Sequence, residues 1–66
     1  MDTHSLSLVV PAFNEERTIE TVLDQIFESL PHVHEAVVVD DASEDATLEI
    51  CHAYSIRELR VRLYPV

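Results

Sequence analysis

Four apolar residues in succession, Ala36-Val37-Val38-Val39, lead directly into the paired aspartates Asp40-Asp41. A run that does not alternate suits a strand covered on both faces, as in a parallel sheet, and parallel strands need a long crossover between them. The preceding stretch supplies one. From Glu15 to Leu30, the residues Ile19, Val22, Leu23, Ile26, Phe27 and Leu30 recur at three-and-four spacing, while Glu20, Asp24 and Glu28 take the other side. That is the pattern of an amphipathic helix. Before it, Ser5 to Val10 is short, apolar and β-rich, and Pro11, which lacks a backbone donor, is expected to end that strand.

Local signals set the expected boundaries. Asn14 is placed as the N-cap of the first helix, with Glu15 and Glu16 in the first turn where the helix dipole favours negative charge. Pro31 and the His32 to His34 stretch close it. The second strand is Glu35 to Asp40. Ser43 then caps a second helix with Glu44 and Asp45 in its first turn, and Thr47, Ile50, Cys51 and Tyr54 share one face. Val61 to Tyr64 forms a short third strand. The order β-α-β-α-β is that of the α/β class with parallel strands. If the strands add successively in one direction, right-handed crossovers put both helices on one face of the sheet. The other face is then bare, and further elements of the chain or a second subunit are expected to cover it.

Composition narrows the partners. Thirteen acidic residues face four arginines and no lysine, for a formal charge of -9, which argues against nucleic acid or anionic lipid. With no glycine in the chain, neither a P-loop nor a G-x-G-x-x-G turn can form, because both need glycine for close backbone approach to phosphate. A single cysteine excludes an internal disulfide and suits a reducing compartment, so the expected location is cytoplasmic. No apolar stretch reaches the roughly 20 residues that span a bilayer, and Asp2 and His4 stand where a signal peptide carries positive charge. At 66 residues the chain is in the size range where only about 60% of the unfolded surface is hidden on folding, which reads as part of a larger domain.

Both strands empty into polar loops at their carboxyl ends, the edge where open α/β sheets bind ligands. Side by side, the loops put Glu15, Asp40 and Asp41 around one crevice. A carboxylate such as Asp41 can accept from the ring N–H of uracil or guanine, a bond worth about 1.5–3 kcal/mol, and Glu15 suits ribose hydroxyls. The plainer reading is that Asp40 and Asp41 only cap the second helix and that Glu15 and Glu16 only serve its predecessor's dipole. Glu16 is read as structural. Neither loop carries lysine or a glycine nest, so a pyrophosphate needs a metal or residues from elsewhere. His32 and His34 read as a solvated turn, His4 and His52 add no ligand set, and Cys51 reads as a small buried hydrophobe. Arg57, Arg60 and Arg62 read as surface partners of acidic residues. A receiver-like phosphoacceptor would need a lysine opposite the aspartate, and there is none.

The segment Ser7-Leu8-Val9-Val10-Pro11-Ala12-Phe13-Asn14-Glu15-Glu16, then Val37-Val38-Val39-Asp40-Asp41-Ala42-Ser43-Glu44-Asp45-Ala46-Thr47, resembles the opening of family 2 glycosyltransferases, nearest to the dolichyl-phosphate mannosyltransferase-like branch. Two motifs at the right separation cover nearly the whole chain. The resemblance implies a three-layer, Rossmann-like GT-A fold of which the first β-α-β-α-β portion is present. It implies sugar transfer from a UDP- or GDP-sugar to an acceptor such as a polyprenyl phosphate or a glycan, at the cytoplasmic face of a membrane in the former case. Residue by residue, it places Pro11, Phe13, Glu15, Val39 and Asp41 around the nucleoside, with Phe13 where tyrosine is usual. Ala42 and Ala46 replace common glycines, a mild departure if the backbone there needs no positive φ.

The same resemblance puts the Asp-x-Asp metal motif, the catalytic base and the acceptor site beyond the third strand. Residues 1–66 are therefore expected to be the incomplete nucleotide-binding part of such a domain, with no catalytic residue and no metal ligand of their own. A divalent metal, Mn or Mg, is expected of the complete domain. The alternative is a nucleotide-binding remnant without catalysis.

Overall fold

A computed structural model describes residues 6–66; Asp2, His4 and the expected strand start at Ser5 lie outside the described residues. The elements follow in the expected order: β1 (Ser7–Ala12), α1 (Ile19–Ser29), β2 (Glu35–Asp40), α2 (Thr47–Arg57) and β3 (Val61–Pro65). The three strands form one parallel sheet in the order β1-β2-β3.

Three boundaries move, each for a physical reason, and β3 runs one residue further than expected, to Pro65. Pro11 does not end β1 but lies within it, opposite Val39. The carbonyls of Leu6 and Ala12 accept from His34 and Asp41, so the even-numbered backbone groups of β1 face β2. The missing N–H of Pro11 falls on the free side, where it costs no ladder bond. The second shift is at α1, which begins at Ile19 and not at Glu15, with Thr18 at its N-cap position. Asn14 is not a cap: its backbone is left-handed, φ 51°, and 16–18 form a turn whose Thr18 and Ile19 N–H groups close onto the Glu15 carbonyl. Likewise α2 starts at Thr47 with Ala46 before it, so Ser43 caps no helix.

Both helices pack on one face of the sheet, as the crossover rule requires. That face carries Ala12, Ala36, Val38 and Val61, closed over by Ile19 and Leu23 from α1 and by Cys51 and Tyr54 from α2. Burying a side chain such as Leu23 stabilises by about 1.5–3 kcal/mol. The helices are joined to each other as well. The Tyr54 hydroxyl donates to Asp24 at 2.7 Å, the Phe27 and Tyr54 rings stack with centroids 6.2 Å apart, and Arg57 lies 4.2 Å above Tyr54 while reaching Glu20 at 3.4 Å. Arg60 lies over Phe27 and is held by Glu58 and the Pro31 carbonyl. Arg62 approaches Glu35 at 4.0 Å. All three arginines thus serve acidic partners or rings.

The opposite face of the sheet is open. Register puts Val9, Val37 and Arg62 in one row and Pro11, Val39 and Tyr64 in the next. Val9 is 69% exposed and Tyr64 59% exposed.

Candidate functional site

The two strand-end loops meet, and backbone N–H groups hold them together. Asn14 N–H donates to Ser43 Oγ at 2.9 Å, and Glu44 N–H donates back to Asn14 Oδ1 at 2.8 Å. Glu16 N–H donates to Asp45 Oδ2 at 3.2 Å, and Ala46 N–H donates back to Glu16 Oε2 at 3.4 Å. Between these reciprocal pairs, Glu15 N–H reaches Thr47 Oγ1 at 2.7 Å. Glycine-free loops thus find their hydrogen-bond partners in each other's side chains, as buried or crowded backbone groups must. Asn14, Glu16, Ser43, Asp45 and Thr47 carry this clasp, whereas residue type pointed Asn14 and Ser43 to helix caps, Glu16 and Asp45 to first turns and Thr47 to the buried face of α2. Both readings use the same chemistry, a short polar side chain accepting from a nearby N–H; only the fold decides whose.

The paired aspartates separate. Asp40 lies on the helix side, 2% exposed, and its carboxylate accepts from both the hydroxyl and the N–H of Ser43. Asp41 is the first residue past β2, its N–H bonded to the Ala12 carbonyl, and is exposed. Pro11 and Val39 are paired within the strands and share the open face; Phe13 and Asp41 are the first residues past the ends of β1 and β2, and both are exposed. Four of the five residues expected around the nucleoside therefore lie at the carboxyl ends of β1 and β2, Pro11 and Val39 on the open face and Phe13 and Asp41 just past the strand ends. The fifth, Glu15, lies past the left-handed turn at Asn14. It is exposed, and its carboxylate accepts from the Thr18 hydroxyl at 3.0 Å, which leaves most of its acceptor sites available.

The loops are acidic. Asp45 loses some affinity for charge through burial, but hydrogen bonds from the Thr47 side chain and backbone and from Glu16 N–H outweigh this and lower its pKa below 3.8. The carboxylates of Glu16, Asp40 and Asp45 are taken up by these bonds. Among the described residues, no group of three or more His, Cys, Asp or Glu side chains is placed to hold a metal ion, so the donor set present does not fit a divalent cation unaided. His32, His34 and His52 are exposed. Cys51 is buried, with its thiol pKa raised by burial and by Asp40. A groove of about 520 Å³ lined by Leu48, Glu49, His52, Leu63 and Pro65 runs between α2 and β3 and shares no residue with the loops. Among the described residues, no helix is long and apolar enough to cross a membrane.

The model of the family described as Glycosyl transferase family 2 matches residues 7–65. The chain is 45% identical over 56 residues to a dodecaprenyl-phosphate galacturonate synthase of Rhizobium johnstonii, covering 80% of this chain and 17% of that protein. It is 35% identical over 71 positions to a dolichyl-phosphate beta-glucosyltransferase of Mus musculus, covering 89% and 22%. A 4,4'-diaponeurosporenoate glycosyltransferase of Staphylococcus haemolyticus is 36% identical over 64 residues, covering 97% and 16%. The chain spans about a fifth of the length of these curated relatives. No solved structure matches it.

Proposed function

This chain belongs to glycosyl transferase family 2, and we propose from that premise that its open sheet edge is the nucleoside half of a sugar-donor site. Pro11 and Val39 form the floor, Phe13 flanks it, Asp41 accepts from the ring N–H of the base and Glu15 takes ribose hydroxyls. The observation that supports this reading is that Pro11 and Val39 pair on the open face and Phe13 and Asp41 follow them, exposed, at the strand ends, while Asp40 turns inward to Ser43. Ligand pockets are mostly apolar with a few placed polar groups, which is the character of this edge.

The complete protein's reaction, on this reading, moves a sugar from a UDP- or GDP-sugar to an acceptor. The dodecaprenyl-phosphate and dolichyl-phosphate relatives favour a polyprenyl phosphate as that acceptor and the cytoplasmic face of a membrane as the place. Residues 1–66 form the nucleotide-binding part of the domain, and the groups that hold the metal and activate the acceptor come from outside them. Exposed loop carboxylates repel a pyrophosphate, so these residues hold the nucleoside and not the phosphates.

Titration with UDP and GDP, with and without manganese, tests the site. Binding is expected to be equal with and without the metal and to be lost in Asp41→Ala; unchanged affinity in that variant refutes the assignment. The 66-residue polypeptide is expected to give no turnover of either nucleotide sugar, and measurable turnover refutes its role as half a site.

A further inference from the structure

Tyr64 was no part of the site read from the loops, yet β3 brings it to the same place. In register it is the partner of Val39, which is in turn the partner of Pro11. These three form the last fully paired row on the open face. Neighbouring strands lie about 4.8 Å apart, so Val39, on the central strand, is flanked on both sides and half-buried while its row partners Pro11 and Tyr64 are exposed. Asp41 stands two residues past Val39, just beyond the end of β2 and about 7 Å on.

The chain's other packed rings are occupied. Phe27 and Tyr54 stack on each other beneath Arg60 and Arg57, inside the helix layer. Phe13, 53% exposed, and Tyr64, 59% exposed, lie instead at one end of the open face. Arg62, one row back on the same face, is turned to Glu35. A flat aromatic wall, an apolar floor and a carboxylate at the mouth match a planar heterocycle that carries a ring N–H: its face meets the ring and its N–H edge meets the carboxylate.

We propose that Tyr64 is the stacking wall of this site, packing against the nucleobase of a nucleoside diphosphate whose ring N–H is held by Asp41. The assignment rests on the nucleoside reading above. It makes β3 a binding strand, and it predicts tighter binding of the larger purine than of the pyrimidine, because stacking grows with overlap.

Tyrosine emission reads it directly, since the chain has two tyrosines and no tryptophan and Tyr54 is buried against Asp24. Titrating the chain with UDP and GDP is expected to quench tyrosine emission in step with binding measured by calorimetry. Tyr64→Phe keeps the affinity but loses the quenching, and Tyr64→Ala weakens binding about tenfold with an unchanged circular dichroism spectrum. Binding that depends on Asp41, is indifferent to Tyr64→Ala and produces no quenching overturns the role of Tyr64 alone. A wild-type chain that binds neither nucleotide overturns both this role and the reading beneath it.

Discussion

Ala42 sits at φ 56°, in the left-handed region where a Cβ crowds the next carbonyl at a cost of roughly 1–2 kcal/mol. Reading alanine here as a mild substitute for glycine assumed an ordinary backbone, and the turn that sends β2 toward α2 does not allow one. Ala42→Gly removes the crowding but gives the unfolded chain more freedom, roughly 0.5–1 kcal/mol, so a net gain of about 0.5–1 kcal/mol in unfolding free energy is expected, read as a higher urea midpoint with an unchanged m-value. Asn14 meets the same demand at φ 51° with a side chain that tolerates it and also receives Glu44 N–H. Asn14→Ala loses both and is expected to cost about 1–3 kcal/mol. Asn14→Gly keeps the backbone and loses only the amide, so it is expected to cost less; equal costs in urea unfolding would exclude a backbone contribution.

Between elements, the Tyr54–Asp24 bond and the loop clasp respond to opposite ends of the pH scale. Burial first, then the bond to Asp24, push the Tyr54 hydroxyl up from 10 to about 12. The fold holds that proton more tightly than the unfolded chain, so its contribution is full below pH 10 and fades as pH rises toward 12. Tyr54→Phe is expected to flatten the loss of urea stability across that window. Asp45 works the other way. Its pKa is lowered from 3.8, so it stabilises above that value and its contribution is lost as pH falls below it; Asp45→Asn is expected to remove this part of the acid lability. The unbroken apolar run of 36–39 revealed β2, whose residues alternate between half-buried and buried, and periodicity revealed α1 and α2 because each buries one face. It misplaced the helix starts because Asn14 and Ser43, good caps by residue type, are used across the clasp, 29 residues apart in the chain.

For the molecule as a whole, the helix face of the sheet is filled and the other carries exposed Val9, Pro11 and Tyr64 beside half-buried Val37 and Val39. A contiguous apolar patch on water favours association. The 66-residue polypeptide is expected to self-associate in sedimentation velocity at micromolar concentration, and Val9→Glu to reduce this while changing the unfolding free energy by no more than about 0.5 kcal/mol, as is usual for an exposed position. Association unaffected by Val9→Glu would place the contact elsewhere.

The amino-acid order alone determined the element types, the parallel α/β class and the family, because these depend on local periodicity and on two motifs a fixed distance apart. It also singled out the two loops that the fold brings together. Only the tertiary structure decided which aspartate faces outward, that Pro11 belongs inside β1, that Ala42 is strained and that Tyr64 joins the row of Pro11 and Val39. Each of these depends on strand register and on hydrogen bonds between segments about 25 to 30 residues apart. Such pairings are fixed by which faces can be buried together, and a one-residue slip would turn every side chain of a strand to the other face.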